Sequence, residues 1–74
     1  MSKESLERRR FNQALLWKRR LDLGLSLGAV AKKVKRSAGA VHHWERGKAC
    51  PNPKSAFLLA QALGVKVEEL FHQS

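Results

Sequence analysis

The side chains best suited to metal binding or nucleophilic chemistry are those of His42, His43 and Cys50. Neighbouring residues of a helix point about 100° apart, so both imidazoles cannot easily bind one ion. The sequence places no acid–base partner beside Cys50. It also contains no paired catalytic carboxylates, nucleophile elbow or phosphate-binding loop. We therefore expect no enzyme, no metal site and no cofactor.

The charge balance says more about the binding partner than the side chains suited to catalysis do. The 74 residues include 15 Lys and Arg against 6 Asp and Glu, a formal net charge of +9. Such an excess favours a polyanionic partner, nucleic acid first and an anionic membrane surface second. No run reaches the ~18 apolar residues that a membrane span needs. Residues 1–11 lack the apolar segment of a secretory signal, so we expect a cytoplasmic protein without a membrane partner.

Helical periodicity divides the chain into short helices of one small domain. Residues suited to N-caps precede three of them: Ser26, Ser37 and Asn52. Glycines suited to ending a helix follow three of them: Gly24, Gly47 and Gly64. The predicted helices are about 5–23, 27–34, 38–45, 53–63 and 65–71. Nothing alternates long enough to form a convincing strand, so the predicted fold is an all-α five-helix bundle.

The second and third helices are short and joined by a tight break, as in a helix-turn-helix. Their inward positions are apolar: Val30, Ala31, Val34, Val41 and Trp44. Ala31 is small where the two helices must approach closely. Trp44 is expected in the core, whereas the pattern leaves open whether Trp17 packs or lies exposed.

These residues carry a family resemblance. The segments Gly24-Leu25-Ser26, Val30-Ala31 and Trp44-Glu45-Arg46-Gly47, with Val41 between them, resemble the phage-repressor/Cro helix-turn-helix family, also called Xre-type. The runs 58–65 and 68–71 resemble the last two helices of that family. The resemblance covers roughly Leu16 to Phe71 and implies a lambda-repressor-like DNA-binding domain over residues 11–74. Residues 1–10 are expected to form a basic N-terminal extension of the first helix.

The resemblance also implies a binding mode, in which the second helix of the pair enters the DNA major groove and the first lies across the backbone. Base edges would then be faced by Ser37, Ala38, Gly39, Ala40 and His43. Phosphates would be met by Ser26, Leu27, Lys35, Arg36, Arg46 and Lys48. Arg20 and Glu45 occupy positions of a buried ion pair that ties the first helix to the recognition helix.

The sequence departs from the family pattern at several of these positions. Leu27 stands where a phosphate-binding Gln is usual, so only the backbone amide and helix dipole remain there. Lys35 replaces the turn glycine and must adopt a left-handed conformation at a cost of ~1–2 kcal/mol, unless the turn is reshaped. Arg36 replaces an apolar residue; its stem could cover the core while its head meets phosphate. Residues 38–40 offer no hydrogen-bonding side chain, only methyl groups that could touch thymine methyls.

The leading hypothesis is a sequence-specific transcriptional regulator that binds double-stranded DNA as a homodimer, on half-sites ~34 Å apart. Repression is the expected outcome, because so small a domain leaves nothing to sense a small-molecule ligand; activation through contact with polymerase is the alternative outcome. The alternative is a module of the same fold that binds nucleic acid without sequence preference or docks another protein. The small residues at 38–40 keep this alternative open.

Overall fold

The computed structural model describes residues 11–71. Within this range it contains four α-helices and a terminal 3₁₀ turn. The elements are α1 (Gln13–Asp22), α2 (Leu27–Val34), α3 (Ala38–Glu45), α4 (Pro53–Leu63) and the 3₁₀ turn Val67–Leu70. The described part of the chain has no strand and a single isolated bridge between Phe11 and Phe71. The all-α prediction is therefore confirmed.

The predicted short fifth helix over 65–71 is present only as a 3₁₀ turn of 4 residues, so the count of five helices is not confirmed. Gly64 ends α4 in a left-handed conformation, and Phe71 is already extended, with φ −128° and ψ 134°. Lys66 is extended as well, with ψ 148°, so only the four residues Val67–Leu70 lie between extended residues, which is about one helical turn. A short 3₁₀ turn satisfies the geometry and still buries Leu70.

The first helix begins later than the predicted start near residue 5. Asn12 is the N-cap of α1, and its Oδ1 accepts a hydrogen bond from the Leu15 amide at 3.1 Å. Phe11 lies outside the helix because its ring packs edge-on against Phe71, with centroids 5.7 Å apart. The Asn12 amide donates to the Leu70 carbonyl at 2.7 Å, which holds the same two segments together. The predicted basic extension over residues 1–10 lies outside the described residues.

Local capping chemistry explains the remaining helix starts. The three predicted N-caps each accept a hydrogen bond from the amide three residues later, at 2.8–3.1 Å: Ser26, Ser37 and Asn52. Pro53 follows Asn52 in the first helical turn, where its missing N–H has no helical partner to lose. These predictions are confirmed.

The core lies where α2, α3 and α4 meet beneath α1. Its fully buried side chains are Leu16, Val30, Val34, Val41, Leu59, Leu63 and Leu70. Trp44 is 2% exposed and belongs to the same cluster. None of these helices is long enough to be stable alone, so the shared apolar core must hold them in place.

Lys35 carries strain at the turn between α2 and α3. Its φ of 59° and ψ of 40° are left-handed, as the sequence predicts for a lysine at this position. We expect Lys35→Gly to stabilise the fold by about 1 kcal/mol, because glycine adopts this conformation without a Cβ clash. Chemical unfolding measures the change.

The matched control is Lys32→Gly, which changes an exposed lysine inside α2. That variant should lose about 1 kcal/mol, since glycine is a poor helix former. Equal effects of the two substitutions would contradict a conformational origin.

Candidate nucleic-acid interface

The turn from α2 to α3 sets the angle between the two helices. The Lys35 amide donates to the Lys32 carbonyl at 3.3 Å, and the Arg36 amide donates to the Ala31 carbonyl at 3.0 Å. Ser37 then starts α3 as its N-cap. Each of the apolar positions predicted between the helices is buried: Val30, Ala31, Val34, Val41 and Trp44. The two helices therefore form a helix-turn-helix with α3 as its second member.

The outer face of α3 carries most of the residues predicted to face bases. Ser37, Ala38, Gly39 and His43 are exposed there, whereas Ala40 is half-buried and packs against the core cluster. Ala40 therefore presents less of its methyl group to a ligand than Ala38 does.

The chemistry available on this face is sparse. His43 supplies an imidazole one helical turn beyond Gly39, and the Ser37 hydroxyl, which accepts from the Ala40 amide, retains its own proton for donation. A Cβ at Gly39 would meet only Ser37 Oγ, at 3.8 Å, so the surface above it is open. A ligand can approach the helix backbone closely at this point.

The residues predicted to face phosphates divide into two groups. Lys35, Arg46 and Lys48 are exposed. The Ser26 side chain caps α2, and Leu27 is partly buried against the core.

Arg36, also predicted to face phosphate, is exposed and in addition makes two contacts within the domain. Its Nη1 donates to Ser55 Oγ at 3.4 Å, and its guanidinium carbon lies 6.0 Å from the centroid of the Trp44 ring. The guanidinium is thus turned toward α4 and the core tryptophan, a cation–π contact that the sequence alone did not reveal. In this conformation Arg36 connects the turn between α2 and α3 to Ser55 of α4 and to Trp44 of α3.

Arg20 and Glu45 form a two-pronged ion pair between α1 and α3. Arg20 Nε and Nη2 each donate to one carboxylate oxygen of Glu45, the latter at 3.2 Å. Arg20 Nη1 donates to the Leu25 carbonyl at 2.9 Å, just before α2 begins. The side chains are only 14% and 7% exposed. One guanidinium therefore joins α1, the start of α2 and the end of α3, with the planar geometry that makes Arg–carboxylate pairs strong.

A shallow groove beside this ion pair escaped the sequence analysis. Its walls are Trp17, Arg20, Leu27, His42, Glu45 and Arg46. Trp17 is 53% exposed, which answers the question that its position in the pattern left open. The spacing of Trp17 in α1 gave no signal, because the groove exists only once α1 and α3 are packed together.

The described residues offer little other chemistry. Residues 11–71 hold no group of three or more His, Cys, Asp or Glu side chains arranged for a metal ion. Cys50 is exposed in the loop between α3 and α4. No helix in the part of the chain that the structure describes is long and apolar enough to cross a membrane.

Comparison with known proteins gives the family. A helix-turn-helix family model matches residues 17–70. The structure is similar to the P22 c2 repressor in complex with the synthetic operator 9T, at 29% identity and a TM-score of 0.77, covering 78% of this chain and 88% of that one. It is similar to the restriction-modification controller protein C.AhdI from Aeromonas hydrophila, at 29% identity and a TM-score of 0.73, covering 80% and 89% of the two chains. The chain belongs to the helix-turn-helix family of the phage-repressor/Cro (Xre) type.

The same fold also occurs inside a larger enzyme. Hydroxypropylphosphonic acid epoxidase from S. wedmorenis matches at 23% identity with a TM-score of 0.71, covering 81% of this chain and 32% of that one. That likeness is one of fold alone. No curated protein matches the chain.

Removing the carboxylate of the ion pair should destabilise the fold. We expect Glu45→Ala to cost about 3 kcal/mol, because it leaves the nearly buried Arg20 guanidinium without its charge partner. The free energy of unfolding, from chemical denaturation, is the measurement.

Asp22→Ala is the matched control. It removes the ion pairs that Asp22 forms within α1 with Lys18 and Arg19, whose side chains are 69% and 32% exposed, against 46% for Asp22 itself. That change should cost less than about 1 kcal/mol. Similar losses in both variants would contradict a special role for the Arg20–Glu45 pair.

Proposed function

We propose that this protein is a sequence-specific regulator of transcription that inserts α3 into the major groove of double-stranded DNA. The observation that carries the proposal is the exposed face of α3, held at a set angle by the ion pair to α1 and flanked by unneutralised cations. Arg46 and Lys48 follow α3 directly, and neither forms a salt bridge with another described residue. Membership of the helix-turn-helix family supports the same conclusion.

In this proposal base recognition rests on few side chains. His43 donates or accepts a hydrogen bond at a base edge, and Ser37 offers its hydroxyl. The Ala38 methyl and the open surface at Gly39 suit contact with thymine methyls. Ala40 contributes less, because it is half-buried. DNA shape then accounts for part of any sequence preference.

Phosphate contacts supply most of the affinity in the proposed complex. Arg46, Lys48 and Lys35 are exposed cations, and the amide of Leu27 lies in the first turn of α2, where the helix dipole favours an anion. Ser26 orders that first turn by capping it.

The proposed regulator acts in the cytoplasm as a homodimeric repressor. Two copies would place their α3 helices on half-sites about 34 Å apart, and occupancy of promoter DNA would exclude polymerase. The similar P22 c2 repressor is described with an operator DNA, which supports duplex DNA as the ligand here.

The short side chains of α3 favour a second candidate function. The outer face of α3 bears Ala38 and Gly39, with the half-buried Ala40 beside them, where bidentate base contacts would need longer polar side chains. A module that binds nucleic acid by charge alone, or that docks another protein, would tolerate such a face.

Selection from a random duplex pool, repeated over a salt series, separates these functions. We expect enrichment of a two-fold symmetric site, because His43 and the shape of the α3 face favour particular bases. Binding without enrichment and with a steep salt dependence would support the charge-only alternative. The absence of duplex binding at low salt would refute both nucleic-acid proposals.

Two substitutions test the proposed division between base and phosphate contacts. On the selected site, His43→Ala should cost about 1–3 kcal/mol and relax the preference at one position. Arg46→Ala should weaken binding to all duplexes alike and reduce the salt slope by about 1. Binding isotherms on selected and scrambled duplexes measure both effects.

Lys66→Ala serves as the control for loss of one positive charge, since Lys66 precedes the 3₁₀ turn and lies outside the helix-turn-helix. It should change the salt slope much less than Arg46→Ala. A uniform loss on all sequences for His43→Ala would exclude a base-reading role for that side chain.

A further inference from the structure

The groove between α1 and α3 is lined by both apolar and charged side chains. It is open to solvent and has a volume of about 380 Å³. Its apolar lining comes from the exposed indole of Trp17 and the half-buried Leu27, and His42 and Arg46 also line it. The Arg20–Glu45 pair forms the remaining polar lining and is internally neutralised.

The charge of the groove favours an anionic ligand. Arg20 and Glu45 cancel, which leaves Arg46 as the net charge of the lining at neutral pH. Among the described residues, Arg46 has no acidic partner within salt-bridge distance. The apolar walls in turn favour a ligand that presents a carbon surface beside its negative charge.

The groove is continuous with the outer face of α3. Arg46 lies one turn beyond His42 and about two turns beyond Gly39 on the same side of the helix. A strand of DNA that flanks the bases facing Gly39 and His43 would therefore pass over the mouth of the groove.

We propose that this groove receives a sugar–phosphate unit of the DNA strand that flanks the bases contacted by α3, and that Trp17 is a specific backbone contact. The deoxyribose packs against the indole ring and Leu27, while the phosphate oxygens accept from the Trp17 Nε1–H and the Arg46 guanidinium. This inference rests on the proposed DNA-binding function. It gives the protein a contact that is insensitive to base identity and offsets the sparse polar chemistry of α3.

A second copy of the chain is a poorer occupant of the groove. Each copy carries a net charge of +9, so bringing another copy against Arg46 is opposed by repulsion. An acidic peptide would match the charge, but it would have no reason to follow the outer face of α3.

Tryptophan fluorescence and binding isotherms test the proposal together. The chain has two tryptophans, and Trp44 is buried, so a fluorescence change on adding duplex DNA reports chiefly on Trp17. We expect the signal to change on titration with duplex DNA, and to stay nearly constant in Trp17→Phe, where Trp44 alone remains. Trp17→Ala should weaken duplex binding about 10-fold, the equivalent of one hydrogen bond and a modest apolar contact. Trp17→Phe should lose less, because it keeps the ring.

The salt slope distinguishes this contact from a simple ionic one. Trp17→Ala should leave the slope unchanged, because no cation is removed, whereas Arg46→Ala should reduce it. Leu21→Ala is the matched control: Leu21 lies one turn further along α1 and is 50% exposed, yet it does not line the groove. It should bind DNA as the unchanged protein does.

Each outcome is decisive. If the protein binds duplex DNA but Trp17→Ala and Leu21→Ala bind equally well, the groove inference fails and the proposed function stands. If the unchanged protein binds no duplex at low salt, the proposed function itself fails. A Trp17 signal that changes with protein concentration in the absence of DNA, or with an acidic peptide but not with duplex DNA, would assign the groove to another partner and overturn the inference.

Discussion

The Arg20–Glu45 ion pair is the interaction on which the geometry of the helix-turn-helix depends. Its guanidinium makes three contacts: two with the Glu45 carboxylate at the end of α3 and one with the Leu25 carbonyl before α2. Apolar packing alone is non-directional and would allow α3 to slide or rotate on the core. The Arg20 guanidinium prevents such sliding or rotation, because each of its three hydrogen bonds requires its own direction. The ion pair thus fixes the orientation of α3 on the small core, so that one face of the helix points outward at a set angle.

The recognition helix depends on its surroundings more than most helices do. It has 8 residues and contains Gly39, a poor helix former, so its intrinsic helix stability is low even with two alanines. Val41 and Trp44 anchor its inner face in the core, and the Arg36 guanidinium lies over the Trp44 ring from the side of α4. The left-handed Lys35 stores strain in the turn just before it. Contacts with the rest of the domain therefore stabilise α3. The outer surface of the helix carries only short side chains, so a ligand can approach its backbone closely.

The distribution of charge fits this arrangement. Among residues 11–71 most charged side chains are exposed, and the nearly buried charges on Arg20 and Glu45 neutralise each other. Long-range attraction to a polyanion is therefore separated from the local positioning of α3. In the proposed complex the long-range attraction sets how strongly DNA is bound at a given salt concentration. The positioning of α3 sets which contacts form. The Trp17 groove would add an uncharged contribution between the two.

The sequence by itself determined the features that arise from neighbouring residues. Ser26, Ser37 and Asn52 cap helices because their oxygens reach amides three residues away, and the left-handed Lys35 follows from the position of the turn. Several features that depend on distant residues could not be predicted from the sequence. The late start of α1 accompanies the packing of Phe11 against Phe71, and the Arg36 guanidinium turns to Ser55 and Trp44. The groove beside Trp17 likewise needs α1 and α3 to meet. Tertiary structure alone decided these features, because hydrogen bonds within one turn of chain are encoded locally, whereas the destination of a long side chain depends on which distant surface it meets.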